Sequence, residues 1–226
     1  MENFTLFSST HFYYLGGYFL FILFGLAFAT FFNNKKKYAQ IVALLILILK
    51  LSELYYRHTV FKEPIISLLP LHLCNLALIV ALIATIFQIK FLNQIVYFWM
   101  PGAFFALITP EVKYSFPNIW NISFFLTHFY LFFVVFYEII YFKFKATKEG
   151  LITSFLILNV LALIIYFINS KLGTNYLYIN YLPTFDSPLK YFGPWPYYIL
   201  ITEGIYLVLS FILYFPFRDK KLFKHY

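Results

Sequence analysis

The chain has 226 residues, of which 62% are hydrophobic and 12% charged, with a mean hydropathy of +0.79 and a formal net charge of +8. A water-soluble domain of this size cannot hide so much apolar surface, because part of any soluble surface must face water, so the soluble classes are excluded. The excess of basic residues is read as lysine and arginine flanking membrane spans rather than as a nucleic-acid surface, and no nucleic-acid partner is expected.

The expected fold is an all-α polytopic membrane protein, a single transmembrane domain over residues 1–226 with seven transmembrane helices. The first apolar run covers 12–32; it is too long for a signal-peptide core and is stopped by Asn33-Asn34-Lys35-Lys36-Lys37. The second covers 38–56, and Lys50, Glu53 and Arg57 interrupt it at i, i+3 and i+7, on one helical face. The third covers 68–89 and opens at Pro70, a residue suited to a first helical turn. The fourth, 92–109, ends at Thr109-Pro110, and the fifth, 119–141, is entered by Trp120. The sixth is 149–169. A polar, Pro/Gly-rich connection over 170–194 leads through Gly193-Pro194-Trp195-Pro196-Tyr197-Tyr198 into the seventh, 196–215.

Seven spans put the termini on opposite sides. Eleven lysines and arginines fall on the side of the C-terminus, among them Lys35, Lys36, Lys37, Lys90 and the tail 218–224. Five fall on the other: Arg57, Lys62, Lys113, Lys171 and Lys190. The N-terminus is therefore expected outside and the C-terminus in the cytoplasm. Abundant Phe, Tyr, Ile, Lys and Asn suggest AT-rich coding, hence a bacterial plasma membrane.

Function is sought in the polar residues that interrupt the apolar runs, since a charge in hydrocarbon costs at least about 2.5–3.5 kcal/mol on insertion scales. Counting ~1.5 Å per residue from the outer end, His72 and Cys74 lie roughly 5–10 Å deep, His128 about 13 Å and Glu203 about 10 Å. Lys50 and Glu53 reach similar depths, so four helices put titratable groups into one outer-half layer. Glu138 falls outside it and is expected near Lys143 or Lys145. Each group also has a purely structural use. Cys74 is a small apolar filler in many bundles, a buried histidine joins helices by hydrogen bonds, Glu53 with Arg57 is an i,i+4 pair closing a helix end, and Glu203 is a partner for Lys50.

Taken together, one thiol, two imidazoles and carboxylates suit nucleophilic acyl chemistry, in which a base takes the thiol proton and a third group orients the base. Cys74 is the lone cysteine, so no intramolecular disulfide or cysteine metal cluster is expected. His72 and Cys74 are about 200° apart around a helix, whereas His72 and Asn75 share a face. The base is then expected from another helix, His128, with Asn121 two turns above it; an irregular first turn at Pro70 leaves His72 as the alternative. No histidine spacing presents two metal ligands from one helix, and no metal or other cofactor is expected.

The string Leu69-Pro70-Leu71-His72-Leu73-Cys74-Asn75, the Thr109-Pro110 end of the fourth span, His128, and Gly193-Pro194-Trp195-Pro196-Tyr197-Tyr198 together resemble the transmembrane protein 164 family, whose bacterial branch is called YwaF-like. The likeness covers essentially the whole chain in order. It implies a membrane acyltransferase that passes an acyl chain from a phospholipid to a lysophospholipid through a cysteine, with Cys74 as nucleophile and His128 as base. The expected partners are a membrane phospholipid, a lysophospholipid and an acyl-chain donor. Two other classes compete: a small-molecule transporter or substrate-capture subunit, and a non-enzymatic membrane scaffold.

Overall fold

The computed structural model describes residues 3–184 and 187–217. They are mostly helical, with no strand among them beyond an isolated bridge between Asn3 and Tyr114. The helices are α1 (Ser9–Phe28), α2 (Lys35–Val60), α3 (Leu73–Phe87), α4 (Lys90–Ile108), α5 (Ile119–Phe142), α6 (Lys148–Leu172) and α7 (Tyr197–Tyr214). All but α3 are long and apolar enough to cross a bilayer. α3 has 15 residues. At ~1.5 Å per residue it falls well short of a hydrocarbon core roughly 30 Å thick. The expected third span, 68–89, is thus shortened at its start, because the chain through Pro70 stays non-helical to His72. Of the basic residues used to orient the chain, Arg218, Lys220, Lys221 and Lys224 lie outside the described residues.

The chain forms two compact units, residues 1–143 and 144–226. In the first, α5 is the hub: it packs against each of α1 to α4. Some 61% of its apolar window is buried, against 17% for α1, so α1 is a peripheral helix and α5 a central one. The side chains filling this core are large and aromatic, with Trp99, Phe98, Phe125, Tyr130 and Tyr137 almost fully buried.

Tyrosine hydroxyls also tie neighbouring helices together through main-chain carbonyls near helix ends. Tyr38 donates to the Gly25 carbonyl at 2.8 Å, Tyr141 to that of Leu26 at 2.7 Å and Tyr137 to that of Lys35 at 2.8 Å. Lys35 Nζ donates to the carbonyls of Ala29 and Phe32 at 2.7 and 2.8 Å, where the C-terminal dipole of α1 favours a cation.

At the other end, His11 is fully buried. Its Nδ1 accepts from the Phe7 N–H at 3.3 Å, so Nε2 carries the proton and donates to the Leu107 carbonyl at 3.0 Å, in the last turn of α4. His11→Ala leaves that buried carbonyl unpaired. The expected loss is about 1–3 kcal/mol, read as a lower midpoint in denaturant unfolding of the detergent-solubilised protein.

The second unit pairs α6 with α7. Ser154 and Tyr206 hydroxyls meet at 3.3 Å, and Asn159 Nδ2 donates to Glu203 Oε2 at 3.5 Å. The polar connection is folded around Asn169, whose Nδ2 donates to the Tyr176 carbonyl at 2.9 Å and to Asn180 at 2.8 Å. The start of α7 joins it: Trp195 Nε1, just before the helix, donates to the Ile179 carbonyl at 2.9 Å, and Tyr198 in its first turn donates to that of Tyr178.

Candidate functional site

The start of α3 builds the site. Pro70 disfavours helical geometry at Leu69, and His72, at φ −75° and ψ 150°, is an extended N-cap whose side chain makes no capping bond. Its carbonyl accepts the N–H groups of Asn75 and Leu76, both at 3.0 Å. Cys74 is therefore the second helical residue, half-buried. The 200° separation expected between His72 and Cys74 does not apply, because His72 lies before the helix. Gly102 of α4 lets the helices come this close: a Cβ there would stand 3.0 Å from the Leu73 side chain.

A non-helical backbone at membrane depth is tolerated where protein surrounds it. α2, α4 and α5 all pack on α3. α2 presents the charges. Lys50 Nζ lies 2.6 Å from Glu53 Oε2, and Arg57 Nη1 lies 3.0 Å from Glu53 Oε1. Arg57 also grips Glu63, with Nη2 at 2.6 Å and Nε at 3.1 Å. Beneath the guanidinium is the ring of Trp120, 4.1 Å away, and Ser123 of α5 donates to Glu53 Oε2 at 3.5 Å. Two cations and two carboxylates thus compensate one another around Glu53, which is only 1% exposed. This is more than the helix-closing pair expected for Glu53 and Arg57.

α5 supplies the imidazole. His128 Nδ1 faces the Phe124 carbonyl at 2.7 Å, and a carbonyl only accepts, so Nδ1 holds the proton and the neutral ring keeps its lone pair on Nε2. The Phe124 ring, 4.1 Å away between centroids, fixes the plane. Nε2 is buried and has no hydrogen-bond partner among the described residues, so Cys74 and His128 are not hydrogen-bonded to each other here. Asn121 uses its Nδ2 to hold the Tyr114 carbonyl at 3.0 Å, while its buried Oδ1 is likewise unpartnered.

Electrostatics link these pieces. The charge of Lys50 acts on both Cys74 and His128, and that of Arg57 acts on His72. Lys50, Glu53 and Arg57 form one ion network, and His72, Cys74, Asn75, Asn121 and His128 lie in the same unit. Glu203 belongs to the second unit, with Asn159 as partner, and the carboxylate that meets Lys50 is Glu53. Glu138 is met by Asn93, with the charge of Lys90 nearby. Among the described residues, no three His, Cys, Asp or Glu side chains gather as metal ligands.

The sequence matches the TMEM164 family from residue 6 to residue 214, nearly the whole chain. It belongs to that family. An uncharacterized protein of Treponema pallidum (strain Nichols) is 31% identical over 156 residues, which span 68% of this chain and 63% of that protein. No solved structure matches.

In this TMEM164 family member, sequence reasoning missed Glu63, Ser123 and Glu111, and it saw Trp120 only as the residue that enters the fifth span. Glu63 reaches Arg57 because Lys62 adopts a left-handed φ of 57°, turning the chain back over the end of α2. Glu111, in the α4–α5 connection, places an acidic charge that acts on Cys74. Trp120 was recoverable, since an aromatic opening a helix is a ready cation–π platform for an arginine at the end of another.

Proposed function

We propose that this protein is an integral membrane lipid acyltransferase, or an acyl hydrolase where water is the acceptor, working through a Cys74 thioester in the outer half of a bacterial plasma membrane. The seven helices α1–α7 then all lie in the bilayer, with the N-terminus outside and the C-terminus in the cytoplasm, and α3 is the short helix whose N-terminus is sunk below the surface. What supports the reading is a half-buried lone thiol in the first turn of α3 and, in the same unit, an imidazole whose buried Nε2 has no partner among the described residues.

The chemistry follows from those two groups. The Cys74 thiol proton passes to His128 Nε2, and the sulfur attacks the ester carbonyl of a phospholipid. The anionic oxygen of the tetrahedral intermediate is stabilised by the free amides at the start of α3. As the ester C–O bond breaks, His128 returns the proton to the leaving lysophospholipid oxygen. The hydroxyl of a second lysophospholipid then gives its proton to Nε2, attacks the thioester and releases the thiol. Tautomer matters here, and the Phe124 carbonyl takes the orienting place that a carboxylate holds in soluble triads.

The test is transfer of a labelled acyl chain from phospholipid to lysophospholipid by the purified protein in mixed micelles. His128→Gln removes the base and is expected to slow transfer by about 10²–10⁴-fold. Transfer at the native rate in that variant would dismiss His128 as the base.

A further inference from the structure

Lys50 is clamped by Glu53, yet its position gives it a use beyond the ion network. α2 and α5 run antiparallel, with Arg57 over Trp120 and Glu53 against Ser123. Helices rise equally per residue. Three residues back along α2 and three forward along α5 thus bring Lys50 level with Leu126, two residues from His128. α2 and α3 are antiparallel as well, tied by Gln40 Nε2 donating to the Ile86 carbonyl at 2.7 Å. Ten residues forward along α2 and ten back along α3 bring Lys50 level with Leu76, two residues from Cys74.

One ammonium therefore occupies the layer shared by the sulfur and the imidazole. It is anchored at 2.6 Å by a carboxylate that Arg57 and Ser123 hold in turn. The side chain is 18% exposed, so little solvent screens it.

We propose that Lys50 is a positioning residue for Cys74: its ammonium, held by Glu53, stabilises the thiolate once the thiol proton has left. Glu53 fixes the charge in place and Arg57 keeps Glu53 from neutralising it fully, since the carboxylate is shared between two cations. In the acyl-transfer reading, on which this part rests, the same ammonium stabilises the anionic oxygen formed when the sulfur adds to the ester carbonyl. The reactivity of the thiol itself does not depend on that reading.

The lone cysteine makes the test specific. Purified full-length protein in detergent is treated with N-ethylmaleimide, whose alkene adds the sulfur at one carbon and a proton at the other. The rate is read by intact mass. Lys50→Met is expected to alkylate about tenfold more slowly than the native protein, because the thiolate is the reacting species. Lys50→Arg is expected to restore the native rate within about twofold, which a loss of packing alone would not predict. Lys50→Gln repeats the measurement should the methionine variant not fold. A native rate in the uncharged variant, or an arginine variant as slow as it, overturns the proposal. The assay contains no lipid, so a native protein that never carries an acyl group would defeat the acyl-transfer reading and leave this result standing by itself.

Discussion

Cys74→Ala is expected to bring acyl transfer down to the uncatalysed background while leaving the protein folded. Removing the nucleophile forfeits most of the rate enhancement, on the order of 10⁶-fold in a well-studied hydrolase. The chain holds one cysteine, so no other thiol can substitute. Cys74→Ser is expected to do little better, because a hydroxyl is a far weaker nucleophile at neutral pH than a thiol. Stability should barely change: alanine is the better helix former, the site is in a first turn, and the side chain is only half-buried. Activity and unfolding measured on one preparation separate the enzyme from a scaffold, for which the substitution would alter assembly and leave lipid composition alone.

The largest stability effect is expected at Glu53. Alanine there leaves Lys50 with no carboxylate at 2.6 Å, and Arg57 with Glu63 alone, in surroundings where Glu53 was 1% exposed. Breaking a buried ion pair by removing one partner destabilises by about 3–5 kcal/mol, mostly through the charge left uncompensated. Glu53→Gln keeps the shape, and its amide still meets Arg57 and Lys50 with the wrong polarity on one side, so it should be nearly as costly. Ser123→Ala removes a long 3.5 Å contact and should be mild by comparison. Denaturant midpoints of the three variants check the order, and a Glu53→Ala protein as stable as the native one would show that the network contributes nothing to folding.

The long helices were legible because apolar runs of about 20 residues between lysine clusters have few other readings. The face shared by Lys50, Glu53 and Arg57 was legible too, since i, i+3 and i+7 spacing fixes it whatever surrounds the helix, and the salt bridges run along it. The start of α3 was not. Proline fits a first turn and also ends one, and only packing against Gly102 and the neighbouring helices decides for Leu73. Depth counting offered Glu203 as a partner for Lys50, but depth alone does not choose partners: Lys50 meets Glu53, and Glu203 meets Asn159. His11 sits near the start of the chain with nothing around it in sequence to announce burial; its role depends on α4, about a hundred residues away. Glu63 depended on a left-handed lysine, which no pattern forecasts.

The central claim is that Cys74 carries an acyl group in turnover. Intact mass spectrometry of the full-length protein taken from its own membrane measures this directly. The account predicts a fraction of molecules heavier by one fatty-acyl group, released by neutral hydroxylamine as a thioester is, and absent from Cys74→Ala. A protein that transfers acyl chains while its mass stays unmodified, or an adduct that persists in Cys74→Ala, would contradict it.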